Sequence, residues 1–277
     1  MTAPLRKGLR DGCLGRDLPM AERFRLAHLG RFEGLELTLT AEGPDSLQAS
    51  DAEVAALARM AADGMPILSF NAGAPWQFSP SAADPSTRTQ ALDLCRRSLD
   101  LAARLGVDTL LYIPGVVTPA ESFNYTWDAA QRATEALLPQ AEQARVTLAV
   151  ENVWNRLILS PRDMLEFVDQ FRSPFVRVYF DAGNVLAFGY PEHWIEALGA
   201  RIVRVHVKDY LVSVGGLHGF TQLLHGDVNW RGVMAALHRI GYRGWITPEV
   251  APYPQPHEAW VHELSRAMDT ILGLYPA

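Results

Sequence analysis

The sequence predicts an α/β protein, a (β/α)8 barrel in a single domain spanning 1–277. Short apolar runs alternate with helical patterns from one end of the chain to the other, the mark of a parallel sheet wrapped by helices. Eight such units in 277 residues average about 35 residues each, the scale of this barrel. The connections are unequal: turns from helix into strand are tight, as at 105–108 and 240–244, whereas the loops after strands are long at 72–86, 115–125 and above all 209–229. Long ordered loops are uncommon without a use, and in barrels the loops at the strands' C-terminal ends build the active site.

In chain order, strands are read at 7–10, 34–39, 66–71, 108–114, 147–152, 176–181, 202–208 and 244–250. Apolar residues at three- and four-residue spacing place helices at 51–63, 87–105, 126–144, 161–171, 191–198, 230–240 and 256–274. Ser160-Pro161 puts a capping hydroxyl before a proline at the first helical position, with Asp163 in the first turn. Gly64, Gly106 and Gly241 each follow a helix, where a left-handed residue turns the chain toward the next strand.

Composition bounds the function. With 48% hydrophobic and 20% charged residues the chain can bury a large core, and a formal charge of −6 argues against general affinity for nucleic acid or anionic membrane. Cys13 and Cys95 are too few for a disulfide framework or a cysteine zinc site, which makes a reducing cytoplasm the expected compartment. The N-terminus lacks the apolar run of a signal peptide, and no stretch has the length and apolarity of a transmembrane helix.

The strand Thr147-Leu-Ala-Val-Glu151 puts Leu148 and Val150 on one face and Glu151 on the other, at its end. Three later strands repeat the arrangement, ending in or near Asp181, His206 and Glu249. Any one of these alone reads as a salt-bridged or rim residue. Four at matching positions point to one shared site, where three negative charges would repel without a cation. Carboxylates with one imidazole suit a single divalent ion, Mn²⁺, Mg²⁺, Co²⁺ or Zn²⁺, and the lack of thiolates disfavours a closed structural zinc site. Such an ion polarises a carbonyl and stabilises an enediolate, while Glu151 and Glu249, on different strands, serve as an acid/base pair that removes and returns the neighbouring proton.

The runs Glu151-Asn-Val-Trp-Asn-Arg-Leu-Ile-Leu-Ser-Pro161, Tyr179-Phe-Asp-Ala-Gly-Asn184, Arg201-Ile-Val-Arg-Val-His-Val-Lys-Asp209, Gly226-Asp-Val-Asn-Trp230 and Thr247-Pro-Glu249 resemble the xylose-isomerase-like TIM barrel superfamily of sugar isomerases and epimerases. Within it, the chain is similar to the sugar-phosphate group that includes L-xylulose-5-phosphate 3-epimerase. The resemblance implies that Glu151, Asp181, His206 and Glu249 are the metal ligands and Glu151 and Glu249 the acid/base pair. It also implies a small sugar or sugar phosphate as substrate and a homodimer or homotetramer. The chain departs from the ketose epimerases at Asn184, where they carry a histidine, and in having no arginine at 211–216. Leu224-His225-Gly226 stands where phosphate-sugar relatives often read Gly-Glu-Gly.

Among secondary candidates, Asn184 either holds a substrate hydroxyl or caps the next turn, and Lys208 either neutralises an enediolate or phosphate or is a plain rim lysine. Trp154, Trp76 and Phe78 stack on a sugar or simply pack. His225 and Asp227 form a substrate contact or a buried salt bridge. His257 and His262 read as surface residues, Asp209 as a cap of its loop, and Glu36 as a sugar ligand or a partner for a neighbouring strand's side chain. The same metal and carboxylates would serve an inosose dehydratase or a hydroxypyruvate isomerase. An AP-endonuclease-type phosphodiesterase needs further metal-binding histidines where this chain has Asn71, Tyr112, Asn184 and Asn229.

Overall fold

In the computed structural model, which describes residues 5–15, 18–39, 48–72, 78–253 and 256–276, the elements follow the expected alternation. In chain order they are β1 (Arg6–Arg10), α1 (Met20–Leu29), β2 (Gly34–Thr38), α2 (Asp51–Ala62), β3 (Ile67–Asn71), α3 (Pro85–Leu105), β4 (Thr109–Tyr112), α4 (Phe123–Ala144) and β5 (Thr147–Glu151). They continue with α5 (Pro161–Asp169), β6 (Val176–Asp181), α6 (Ala182–Val185), α7 (Pro191–Leu198), β7 (Ile202–Val207), β8 (Asp209–Tyr210), β9 (Phe220–Thr221), α8 (Trp230–Arg239), β10 (Trp245–Pro248) and α9 (His257–Leu272). The strand order β1-β10-β7-β6-β5-β4-β3-β2 closes on itself as a barrel, and β8 and β9 form a separate antiparallel pair. Trp76, one of the aromatic candidates, lies outside the described residues.

One compact unit comprises Met1–Leu37, Leu57–Leu68 and Tyr179–Ala277. In it β1 pairs in parallel with β2 and β10, and β10 with β7, in a register that sets Arg10 beside Glu36 and Thr247 beside His206. Leu9, Leu35, Val205 and Ile246 are buried apolar residues on these strands, as expected for a sheet covered by helices. The second unit comprises Thr38–Ala56 and Ser69–Val178, where β4 pairs in parallel with β3 and β5. Leu110, Leu148 and Val150 are fully buried there, and Ala102, Ala130 and Leu137 bring the small and apolar faces of α3 and α4 into the core.

Local chemistry sets the ends. Ser160 accepts from the Asp163 amide while the Asp163 carboxylate accepts from the Ser160 amide, a reciprocal capping box opening α5 with Pro161 in its first turn. Gly106 caps α3 in the left-handed region at φ 69°, and Gly64 and Gly241 take the same region. Helix α1 was not among the expected helices. Its buried residues, Arg23, Phe24, Leu26 and Ala27, include a charge, because the Arg23 guanidinium forms a buried ion pair with Asp11 at 2.8 Å. That charge interrupts the apolar periodicity on which a helix is read. Among the described residues no helix is long and apolar enough to cross a membrane.

Candidate metal centre and active site

Parallel strands all end on the same rim, so the polar residue that closes each apolar run is delivered to one place. Glu151 and Asp181 are the last residues of β5 and β6, His206 is the penultimate residue of β7, and Glu249 follows β10 directly. One ligand atom from each of the four lies within 4.8 Å of the others, and Glu151, Asp181 and His206 are buried. The four residues read from the sequence as metal ligands are therefore brought together.

Each is held by its surroundings. The Asp181 Oδ1 accepts from the Asn184 amide at 2.7 Å, so the short α6 turn clamps the carboxylate. This turn must pass close to β7: a Cβ on Gly183 would come within 2.5 Å of both the Lys208 Cγ and its carbonyl oxygen. The Glu249 amide donates to the Val207 carbonyl at 2.9 Å, fixing its level beside His206 and Lys208. The Lys208 ammonium is 3.2 Å from Asp181 Oδ2 and donates to Glu249 Oε2. Arg10 approaches from β1, with Nη1 2.6 Å from Glu249 Oε1 and Nε 3.5 Å from Glu36 Oε1.

Glu36, wholly buried at the centre of β2, is close to this group. The Tyr179 hydroxyl donates to its Oε2 at 2.5 Å, and His206 Nε2 lies 3.1 and 3.2 Å from its two oxygens. His206 Nδ1 faces the other way, 4.0 Å from Glu249 Oε2.

The electrostatics favour the ionised forms of Glu249 and Glu36. Burial pushes the Glu249 carboxyl upward, but the charges of Lys208, Arg10 and His206 and the Lys208 hydrogen bond outweigh it and hold the group well below the usual carboxylate range. Burial likewise raises Glu36, and His206, Arg10 and the Tyr179 hydroxyl more than reverse it. A divalent ion needs deprotonated oxygen donors and a neutral imidazole nitrogen. Three carboxylates, one imidazole with Nδ1 turned inward, and an ammonium drawn against two of those carboxylates fit a cation of the Mn²⁺, Mg²⁺, Co²⁺ or Zn²⁺ kind.

The secondary candidates separate. Lys208 belongs to the site by its contacts with Asp181 and Glu249. Asn184 is buried, and its backbone amide donates to the Asp181 carboxylate, which caps α6. Trp154 is half-buried in the loop after β5, which Asn155 ties down by donating to the Gly115 carbonyl and accepting from the Leu157 amide. Phe78 lines a small pocket with Leu94, Cys95 and Tyr112. His225 is exposed in a turn and stands outside the ligand group, and Asp227 is also exposed, accepting from the Val212 amide, so neither forms the buried salt bridge. Asp209 caps its loop, as expected.

Arg10 and Tyr179 were not singled out in the sequence. Both carry a usable signal: Arg10 closes the first strand as the ligands close theirs, and Tyr179 shares parity with Asp181 two residues on.

Comparison with known proteins agrees with this fold. Residues 25–270 match the family model described as xylose isomerase-like TIM barrel. The chain is 30% identical over 247 residues to a putative L-ribulose-5-phosphate 3-epimerase, SgbU, of Escherichia coli K12, covering 86% of this chain and 85% of that protein. It is 25% identical over 255 residues to the L-ribulose-5-phosphate 3-epimerase UlaE of Escherichia coli O1:K1, covering 90% and 88%. Among solved structures, the IOLI protein with a bound zinc atom superposes with a TM-score of 0.85 at 14% identity, covering 98% of this chain and 99% of that one. The chain belongs to the xylose isomerase-like TIM barrel family.

Proposed function

We propose that the protein is a sugar or sugar-phosphate epimerase or isomerase that moves a proton through an enediolate, with one divalent cation held by Glu151, Asp181, His206 and Glu249. The observation that carries this reading is the convergence of those four donors within 4.8 Å of one another. The names of the sequence relatives, L-ribulose-5-phosphate 3-epimerases, support a ketose phosphate and inversion at C3.

When bound, the cation would polarise the substrate carbonyl and stabilise charge on the two adjacent oxygens. Inversion at a carbon requires one group to take the proton and a second to return it on the opposite face. Glu151 and Glu249, carried by β5 and the end of β10, supply two such groups, each typically worth roughly 10²–10⁴-fold in rate. Glu249 is held ionised, the state in which a carboxylate accepts a proton. Lys208, with its side chain 13% exposed, offers positive charge at the rim for an enediolate or a phosphate oxygen. Trp154 and Asn184, which follow β5 and β6, are assigned to substrate contact, as is the exposed His225 at the end of the long loop. A single domain, a homodimer or homotetramer, and a cytoplasmic setting belong to the same reading.

The test is proton exchange. Incubated with Mn²⁺ and L-ribulose 5-phosphate in deuterated water, alongside a panel of free ketoses, the protein should place solvent deuterium at C3, and Glu151→Gln should abolish this while leaving the fold intact. Absence of exchange with every sugar and sugar phosphate would overturn the proposal, and full activity in Glu151→Gln would reassign the base.

A further inference from the structure

Glu36 has no direct part in the proton transfer proposed above, yet it is wholly buried. Burying a carboxylate costs free energy unless it is paired and hydrogen-bonded. Its surroundings provide that pairing: the Tyr179 hydroxyl at 2.5 Å from Oε2, His206 Nε2 at 3.1 and 3.2 Å, and Arg10 Nε at 3.5 Å from Oε1. With no exposed surface it cannot reach a sugar hydroxyl, so the partner of Glu36 is the imidazole.

The geometry decides which imidazole nitrogen does what. An ionised carboxylate only accepts hydrogen bonds, so the short contact to Glu36 requires the proton on His206 Nε2. A neutral ring then has its lone pair on Nδ1, the nitrogen that faces Glu249 at 4.0 Å. Tyr179 acts on both partners: its hydroxyl binds Glu36, and its ring lies 4.3 Å from the His206 ring at 44°. The imidazole is thus held at its far nitrogen and against one face.

We infer that Glu36, steadied by Tyr179, is the positioning residue for His206: it takes the Nε2 proton in a hydrogen bond and fixes the tautomer whose Nδ1 lone pair points at the divalent ion shared with Glu151, Asp181 and Glu249. This rests on the metal-site reading above. Loss of such an outer partner typically costs about 10–100-fold in metal affinity.

The experiment compares the wild type, Glu36→Gln and Tyr179→Phe by Mn²⁺ titration, counting free ion by electron paramagnetic resonance. Long-range proton–nitrogen NMR of the ¹⁵N-histidine protein, with His206 assigned by substitution, reads the tautomer directly. At a pH high enough to leave the imidazole neutral, the metal-free wild type should show His206 protonated at Nε2, and Glu36→Gln should bind Mn²⁺ about 10–100-fold more weakly with a mixed tautomer. Tyr179→Phe, which keeps the ring and the carboxylate, should weaken Mn²⁺ binding less and shift the His206 Nε2 resonance, and it serves should Glu36→Gln not fold. A neutral wild-type His206 protonated at Nδ1 would overturn the inference, as would variants that bind Mn²⁺ within twofold of the wild type with unchanged imidazole resonances. Failure of the wild type to bind Mn²⁺ would instead remove the metal site itself, and this inference with it.

Discussion

Asp209 makes the sharpest stability prediction, because one buried carboxylate organises the loop that begins one residue after Lys208. Its Oδ1 accepts from the Tyr210 and Val228 amides at 3.0 and 3.1 Å, and its Oδ2 from the Leu224 amide and the Trp230 indole at 2.9 and 3.0 Å. Asp209→Asn keeps the shape but turns one oxygen into a donor, which must then face two donors. Hydrogen bonds to a charged acceptor contribute about 1.5–3 kcal/mol each, so losing two should cost about 3–6 kcal/mol. A chain of 277 residues has an unfolding entropy of about 0.6 kcal/mol/K at the melting point, which converts that loss into a Tm lower by about 5–10 °C. Scanning calorimetry measures the shift, and hydrogen exchange at the Leu224 and Val228 amides locates it. A Tm within about 2 °C of the wild type, with those amides still protected, would refute the reasoning.

Three further outcomes follow from the same contacts. Gly183→Ala drives a Cβ into the Lys208 backbone and should destabilise by about 1–3 kcal/mol while weakening Mn²⁺ binding; unaltered denaturation and titration curves would show that the turn gives way freely. The folded-state pKa of Glu249 lies below its ordinary value of 4.5, so the stability it contributes is present above that value and is lost as pH falls below it. Metal-free protein should therefore lose urea resistance on acidification below about pH 4.5, less steeply in Lys208→Met, and equal slopes in the two proteins would contradict the role given to Lys208. Burial pushes the Cys13 and Cys95 thiols up to about 12, so neither should react with a disulfide reagent at pH 8 until the protein is denatured; prompt labelling of the native protein would disprove it.

What the sequence discloses of this fold is what the backbone period imposes. An apolar run ending in Glu151, Asp181, His206 or Glu249 announces both a strand and the level of its last side chain, and parallel closure brings such ends together without further information. Partners are harder to read, because they are chosen by three-dimensional neighbours. Its place at the end of β1 marks Arg10 only as a rim residue, and its role at the site is set by β1 lying between β2 and β10, beside Glu36 and Glu249. Parity with Asp181 likewise puts Tyr179 on the inward face, but its partner, Glu36, is set by the fold. Helix α1 escaped because Arg23 occupies its buried face, and the β8–β9 pair because two-residue strands leave no period to detect. His225 is exposed near the end of its long loop, a placement that the sequence pattern around it does not fix.

Anomalous diffraction from a crystal grown with Mn²⁺ tests the convergence of ligands most directly. The expected result is a single strong peak bounded by carboxylate oxygens of Glu151, Asp181 and Glu249 and by Nδ1 of His206. A peak elsewhere, a cluster of three, or none at saturating Mn²⁺ would contradict it.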